Sequence, residues 1–171
     1  MRKFIPALLY SLATYVMVAP AFTVNQFNLP VWLSFLIVSV PFGGRVIGSL
    51  LYQRLIVLLG SRSLYLISVT SLGLLSALST IHDVPLLLLI RTLVGVVFGL
   101  ATSLAVEEAV LSGNKFVIAL TMSGWAFGWI GGAIAYISLK QWTLIALSGV
   151  ITLPFTLFYT SVSKVAVYKE K

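Results

Sequence analysis

The sequence predicts an all-α membrane protein: a single domain over residues 1–171 built as a bundle of six transmembrane helices. Two observations on composition and one on spacing carry that reading. Of the 171 residues, 60% are hydrophobic and 9% charged, with a mean hydropathy of +1.09, whereas soluble domains run about 45–50% apolar and about 25% charged. A water-soluble fold of this size leaves roughly a third of its surface exposed and could not hide so much apolar area. The third observation is that polar or turn residues interrupt the apolar sequence at regular intervals. A spanning helix needs ~20 residues, so six take ~120 and leave ~50 for loops and ends.

The expected spans follow in order. The first covers about 4–24, after Arg2-Lys3, and Asn25-Gln26-Phe27-Asn28 ends it. The second covers about 30–52, and a segment carrying Arg54, Gly60, Ser61 and Arg62 leads to the third at about 63–81. His82-Asp83-Val84-Pro85 is a turn opening the fourth, about 86–106. Glu107 to Lys115 reads as a polar loop, the fifth span covers about 116–138, and Lys140-Gln141 precedes the sixth at about 142–162. The stretch ending in Ala19-Pro20-Ala21 also has the look of a signal peptide, but its apolar run is longer than the ~7–15 residues usual there.

Loop charge sets the expected orientation. With the amino terminus inside, Arg2, Lys3, Arg54, Arg62, Lys115, Lys164, Lys169 and Lys171 share one side and Lys140 stands alone on the other. That is the positive-inside bias, with both termini at the cytoplasmic face of the cell membrane. The net charge of +7 then reflects topology and anionic lipid, and calls for no nucleic-acid partner. The chain has no cysteine and one histidine, His82, so thiolate metal sites, disulfides and iron–sulfur clusters are excluded. No cofactor or metal is expected. The four acids are Asp83, Glu107, Glu108 and Glu170, none of them inside an apolar run, and enzymatic activity is not expected.

Glycines recur at a spacing of four on three of the spans: Gly44 and Gly48 on the second, Gly95 and Gly99 on the fourth, Gly124, Gly128 and Gly132 on the fifth. That spacing lines one helix face with positions lacking side chains, where another backbone can approach closely. The partner backbone is either within the bundle or in a second copy.

Two further stretches carry a resemblance. Leu89-Ile90-Arg91-Thr92-Leu93-Val94-Gly95-Val96-Val97-Phe98-Gly99, followed by Glu107-Glu108, resembles the fourth-helix signature of the major facilitator superfamily. Gly124-Trp125-Ala126-Phe127-Gly128-Trp129-Ile130-Gly131-Gly132 resembles its fifth-helix signature, with Trp129 where that family usually has proline. Between spans two and three the family's glycines and arginines are matched by Gly48, Gln53-Arg54 and Gly60-Ser61-Arg62, without its aspartate. The family fold pairs two parallel six-helix halves, each made of two inverted three-helix repeats. The resemblance therefore implies one half of that fold, completed by a second copy as a parallel homodimer with a shared cavity.

An arginine at a membrane helix centre costs about 2.5–3.5 kcal/mol on insertion scales, which makes Arg91 and Arg45 the first candidates for solute binding. Two copies of Arg91 facing a cavity would suit an anion; alternatively, the arginine could satisfy backbone carbonyls at a helix break. Tyr10, Tyr15, Asn25, Trp125 and Trp129 are further cavity candidates, and Glu107, Glu108, Arg54 and Arg62 are candidate gating groups. The expected function is transport of a small solute by alternating access, as facilitated diffusion or exchange. Two other readings stay open: a substrate-binding membrane component docking on a partner, and a non-transporting accessory subunit of a larger membrane complex with a heterologous partner.

Overall fold

The computed structural model describes residues 4–158, and those residues form helices and turns without a strand. Arg2, Lys3, the last residues of the sixth expected span and the basic tail from Lys164 onward lie outside the described residues. The α-helices are α1 (Ile5–Val18), α2 (Val31–Leu78), α3 (Val84–Leu111), α4 (Lys115–Met122), α5 (Gly124–Leu139) and α6 (Trp142–Ser148). A 3-10 segment, Ala19–Phe27, prolongs α1, and another, Gly149–Phe158, prolongs α6.

Four segments are long and apolar enough to cross a membrane: Ile5–Phe27, Val31–Leu78, Val84–Leu111 and Lys115–Leu139. Trp142–Leu157 is a shorter apolar helix. The structure differs from the sequence reading in how two of the spans end. No loop separates the second and third spans, because the residues from Arg54 to Leu59 are mostly good helix formers and stay helical. The 48-residue helix α2 instead breaks at Gly60, whose φ of 75° and ψ of 161° are open to glycine alone. Glu107 and Glu108 are likewise not in a loop but in the last turns of α3. Glutamate propagates a helix well, and the chain turns only at Gly113, with φ 63°.

Side-chain caps mark two helix starts. Asp83 accepts from the Leu86 N–H at 3.0 Å, and Asn114 accepts from the N–H groups of Phe116 and Val117 at 2.9 and 3.4 Å. Each satisfies backbone donors that the first helical turn leaves free.

The packing falls into two layers. In the first, the arm 31–59 of α2 lies along α3, α3 along α1, and α1 along α5. Pro41 meets Gly95 and Arg45 meets Gly99, so the α2 arm and α3 run parallel. Gly124 meets Tyr10, Gly128 meets Thr14 and Gly132 meets Ala19, so α1 and α5 also run parallel. Behind this layer the arm 61–78 of α2 pairs antiparallel with the last segment. Thr152 Oγ1 donates to the Val69 carbonyl at 3.3 Å, Ser76 Oγ to Ala146 at 2.7 Å, and Trp142 Nε1 to Ser79 at 2.6 Å.

Candidate functional site

The glycines decide how closely the first layer packs. A methyl group on Gly44 or Gly48 would strike the backbone of Thr92 or Val96, and one on Gly95 or Gly99 the backbone of Pro41 or Arg45. Gly124 and Gly128 are closed by α1, chiefly by the side chains of Tyr10 and Thr14, and Gly132 by Ala19 and Phe22 of the following 3-10 segment, with Tyr10 Cβ 2.8 Å from the methyl position at Gly124. All these contacts are within one chain. Such backbone-to-backbone approach supplies the dispersion contact that holds helices together where lipid removes the hydrophobic drive.

Where the α2 arm and α3 diverge toward the C-terminal end of α3, an open groove of about 420 Å³ forms. α2 contributes Arg45, Ser49, Tyr52 and Gln53; α3 contributes Thr102, Ser103, Val106 and Glu107; Tyr10 of α1 and Met122 of α4 complete it. The four α2 residues stand at i, i+4, i+7 and i+8, one helix face. Arg45 lies over the rings of Phe98 and Trp125, its guanidinium carbon 5.2 and 5.8 Å from their centroids. Those contacts offset part of the cost of holding the charge among apolar helices. Tyr52 Oη donates to Glu107 Oε2 at 2.6 Å, short enough for a charge-assisted bond.

Outside the groove some hydroxyls reach across to another segment, as Ser76 and Thr152 do, and the buried Ser68 Oγ has no partner among the described residues. Others bond back to their own helix: Ser11 to Ala7, Thr14 to Tyr10, Thr92 to Leu88, Thr121 to Val117. Thr102 does so too, to Phe98. Among the described residues, however, Ser49, Ser103 and Gln53 have no side-chain hydrogen-bond partner, and the Arg45 guanidinium donates no hydrogen bond and forms no ion pair. In hydrocarbon such groups would be several kcal/mol unfavourable each, so this groove is built for water or a polar solute.

Arg91, the foremost candidate from sequence, sits elsewhere. It is 1% exposed, and does not line the groove. Its guanidinium donates to the carbonyls of Val16, at 3.4 Å, and Met17, at the point where α1 gives way to the 3-10 segment. Of the two expectations for Arg91, the carbonyl-holding one describes this geometry.

The other sequence candidates divide. Tyr15 is half-buried and shares a hydrogen bond with Ser148. Trp129, 38% exposed, packs edge-on against Phe22 and Trp125 and does not line the groove. Asn25 is exposed at the end of the first segment. Glu108 is buried against Ile5 and Leu9 of α1, while Arg54 and Arg62 are exposed on either side of the Gly60 break, and neither lines the groove. Arg45, Glu107 and Tyr10 are thus the candidates that the structure brings into one groove.

No protein-family model, curated protein or solved structure matches the chain.

Sequence reasoning missed Ser49, Tyr52, Gln53, Thr102 and Ser103. A signal for the α2 set was present, since four polar residues on one face of an otherwise apolar helix mark a wetted stripe. The α3 set adjoins Glu107, which became visible only once the helix was seen to continue through it.

Proposed function

We propose that the chain is an integral membrane transporter of a small polar solute, working by alternating access as a parallel homodimer of six-span chains. The groove carries this reading: it gathers residues from the first, second, fourth and fifth expected spans, with its unpartnered polar groups on or beside the second and fourth, and among the described residues takes none from the third or sixth. A cavity shared by two six-helix halves of the major facilitator kind needs that distribution. Each half would supply one wall, and the second copy would close it.

Packing supports the inverted-repeat part of the proposal. If spans one to three and four to six are repeats, exchanging one with four, two with five and three with six must preserve the contacts. It does so: the parallel pair of spans one and five exchanges with the parallel pair of four and two. The antiparallel pair of three and six exchanges with itself. Internal repeats of this kind underlie alternating access, in which one bundle rocks against another around a fixed site. Because the glycine faces of α2 and α5 are occupied within the chain, the faces left for a second copy are the exposed ones, with Phe42, Val46 and Leu50 on α2 and Phe127, Ile130 and Ile134 on α5.

The test is disulfide cross-linking in native membranes, which the absence of any cysteine makes clean. Ser49→Cys and Ser123→Cys, both at exposed positions, are placed in separately tagged copies. A mixed-tag cross-link is the expected result. Two thiols that both react with maleimide yet never cross-link would reject the homodimer.

A further inference from the structure

The groove holds one cation and one anion that do not neutralise each other. Among the described residues, Arg45 is occupied only by the ring faces of Phe98 and Trp125, and Glu107 accepts one hydrogen bond, at Oε2 from Tyr52. From Arg45 to Tyr52 is seven residues, which at 1.5 Å per residue separates their backbone positions by ~10 Å along the helix. Both long side chains lean toward the helix N-terminus, so the guanidinium and the Tyr52-bound carboxylate keep a comparable offset along the groove. The hydroxyls of Ser49 and Ser103, which have no hydrogen-bond partner among the described residues, and the Gln53 amide line the same groove.

A simple anion satisfies Arg45 but is repelled by Glu107, and a simple cation meets the reverse. A solute carrying a carboxylate at one end and an ammonium at the other satisfies both. Allowing a hydrogen bond of ~3 Å at each end, a ~10 Å offset suits ligand charges ~4–5 Å apart, the length of a short ω-amino acid. We propose that the groove is a binding site for a small zwitterion, its carboxylate on Arg45 and its ammonium on Glu107. This deepens the transporter reading and rests on it for the groove's access to water.

The experiment is calorimetric titration of the full chain in lipid nanodiscs with three probes: γ-aminobutyrate, butyrate, which lacks the ammonium, and γ-aminobutyramide, which lacks the carboxylate. The expected result is at least tenfold tighter binding of γ-aminobutyrate than of either singly charged analogue. Arg45→Gln should bring γ-aminobutyrate down to the level of the amide, and Glu107→Gln to that of butyrate. If butyrate binds as tightly as γ-aminobutyrate and ignores Glu107→Gln, the site is a plain anion site and the proposal fails. Absence of binding by all three probes to wild-type protein also overturns it. A dimer cross-link alongside either failure leaves the transporter reading standing, whereas zwitterion binding without a cross-link removes the homodimer and keeps the site.

Discussion

Arg91 stands opposite the carbonyls that Pro20 leaves without donors. In an α-helix the Val16 carbonyl would accept from residue 20, which as proline has no N–H. The change to three-residue spacing at Ala19 also takes the donor from Met17. Arg91 supplies both, and so binds the first expected span to the fourth. An intramembrane charge that looks functional in sequence here closes a backbone defect.

Removing that closure has a specific signature. Arg91→Leu leaves two buried carbonyls unpaired, at about 1–3 kcal/mol each, partly offset by relief of the buried charge. A net loss of about 2 kcal/mol is expected in thermal unfolding. Pro20→Ala restores a donor to Val16, so the double variant should regain at least half of the loss. Strict additivity of the two changes in a double-mutant cycle would show that Pro20 and Arg91 are not coupled.

Gly43 and Gly48 test the helix interface against helix propensity. A methyl at Gly48 runs into the Val96 backbone, while one at Gly43 meets nothing within 4 Å. Overpacking against backbone costs about 1–3 kcal/mol, and glycine to alanine in a free helical position gains up to about 1 kcal/mol. Gly48→Ala should therefore lower the unfolding temperature and Gly43→Ala leave it level or raise it. Equal effects at the two positions would count against the α2–α3 contact.

The helices and their glycine faces were legible in the sequence because both depend on local spacing: Gly44/Gly48 and Gly95/Gly99 lie on buried faces as a four-residue repeat requires. Helix ends were harder. Glu107 reads as loop because charge dominates a hydropathy pattern, yet only Gly113, beyond it, turns the chain. Arg91 could not be separated from Arg45 by pattern, since what distinguishes them is a proline more than seventy residues away in sequence. The groove depends on which residues of α1, α2, α3 and α4 converge, and that is a property of tertiary packing.

Gly60 is the joint of the longest helix. Its φ of 75° with an extended ψ lies in a region that residues with a side chain avoid, at about 1–3 kcal/mol. No atom crowds a methyl there, so the cost of Gly60→Ala is conformational alone. The variant should lose about 1–3 kcal/mol while keeping its helix content by circular dichroism. A D-alanine introduced semisynthetically, for which this backbone region is favourable, should restore stability. An L-alanine variant as stable as wild type would mean that the arms 31–59 and 61–78 do not meet at this angle.

Gln26 ties the end of the first segment to the start of the last. Its Nε2 donates to the Lys140 carbonyl at 2.5 Å and its Oε1 accepts from the Trp142 N–H at 2.8 Å. Lys140 is in the left-handed region, φ 57°, so this turn is held by the amide as well as by its own backbone. Gln26→Glu keeps the acceptor for Trp142 and loses the donor to Lys140, whereas Gln26→Leu loses both. At about 0.5–1.5 kcal/mol per net hydrogen bond, stability should fall stepwise from Gln to Glu to Leu. Hydrogen exchange at the Trp142 amide separates the two bonds: it should stay slow in Gln26→Glu and quicken in Gln26→Leu. Fast exchange in the glutamate variant would show that the side chain holds Trp142 only through Lys140.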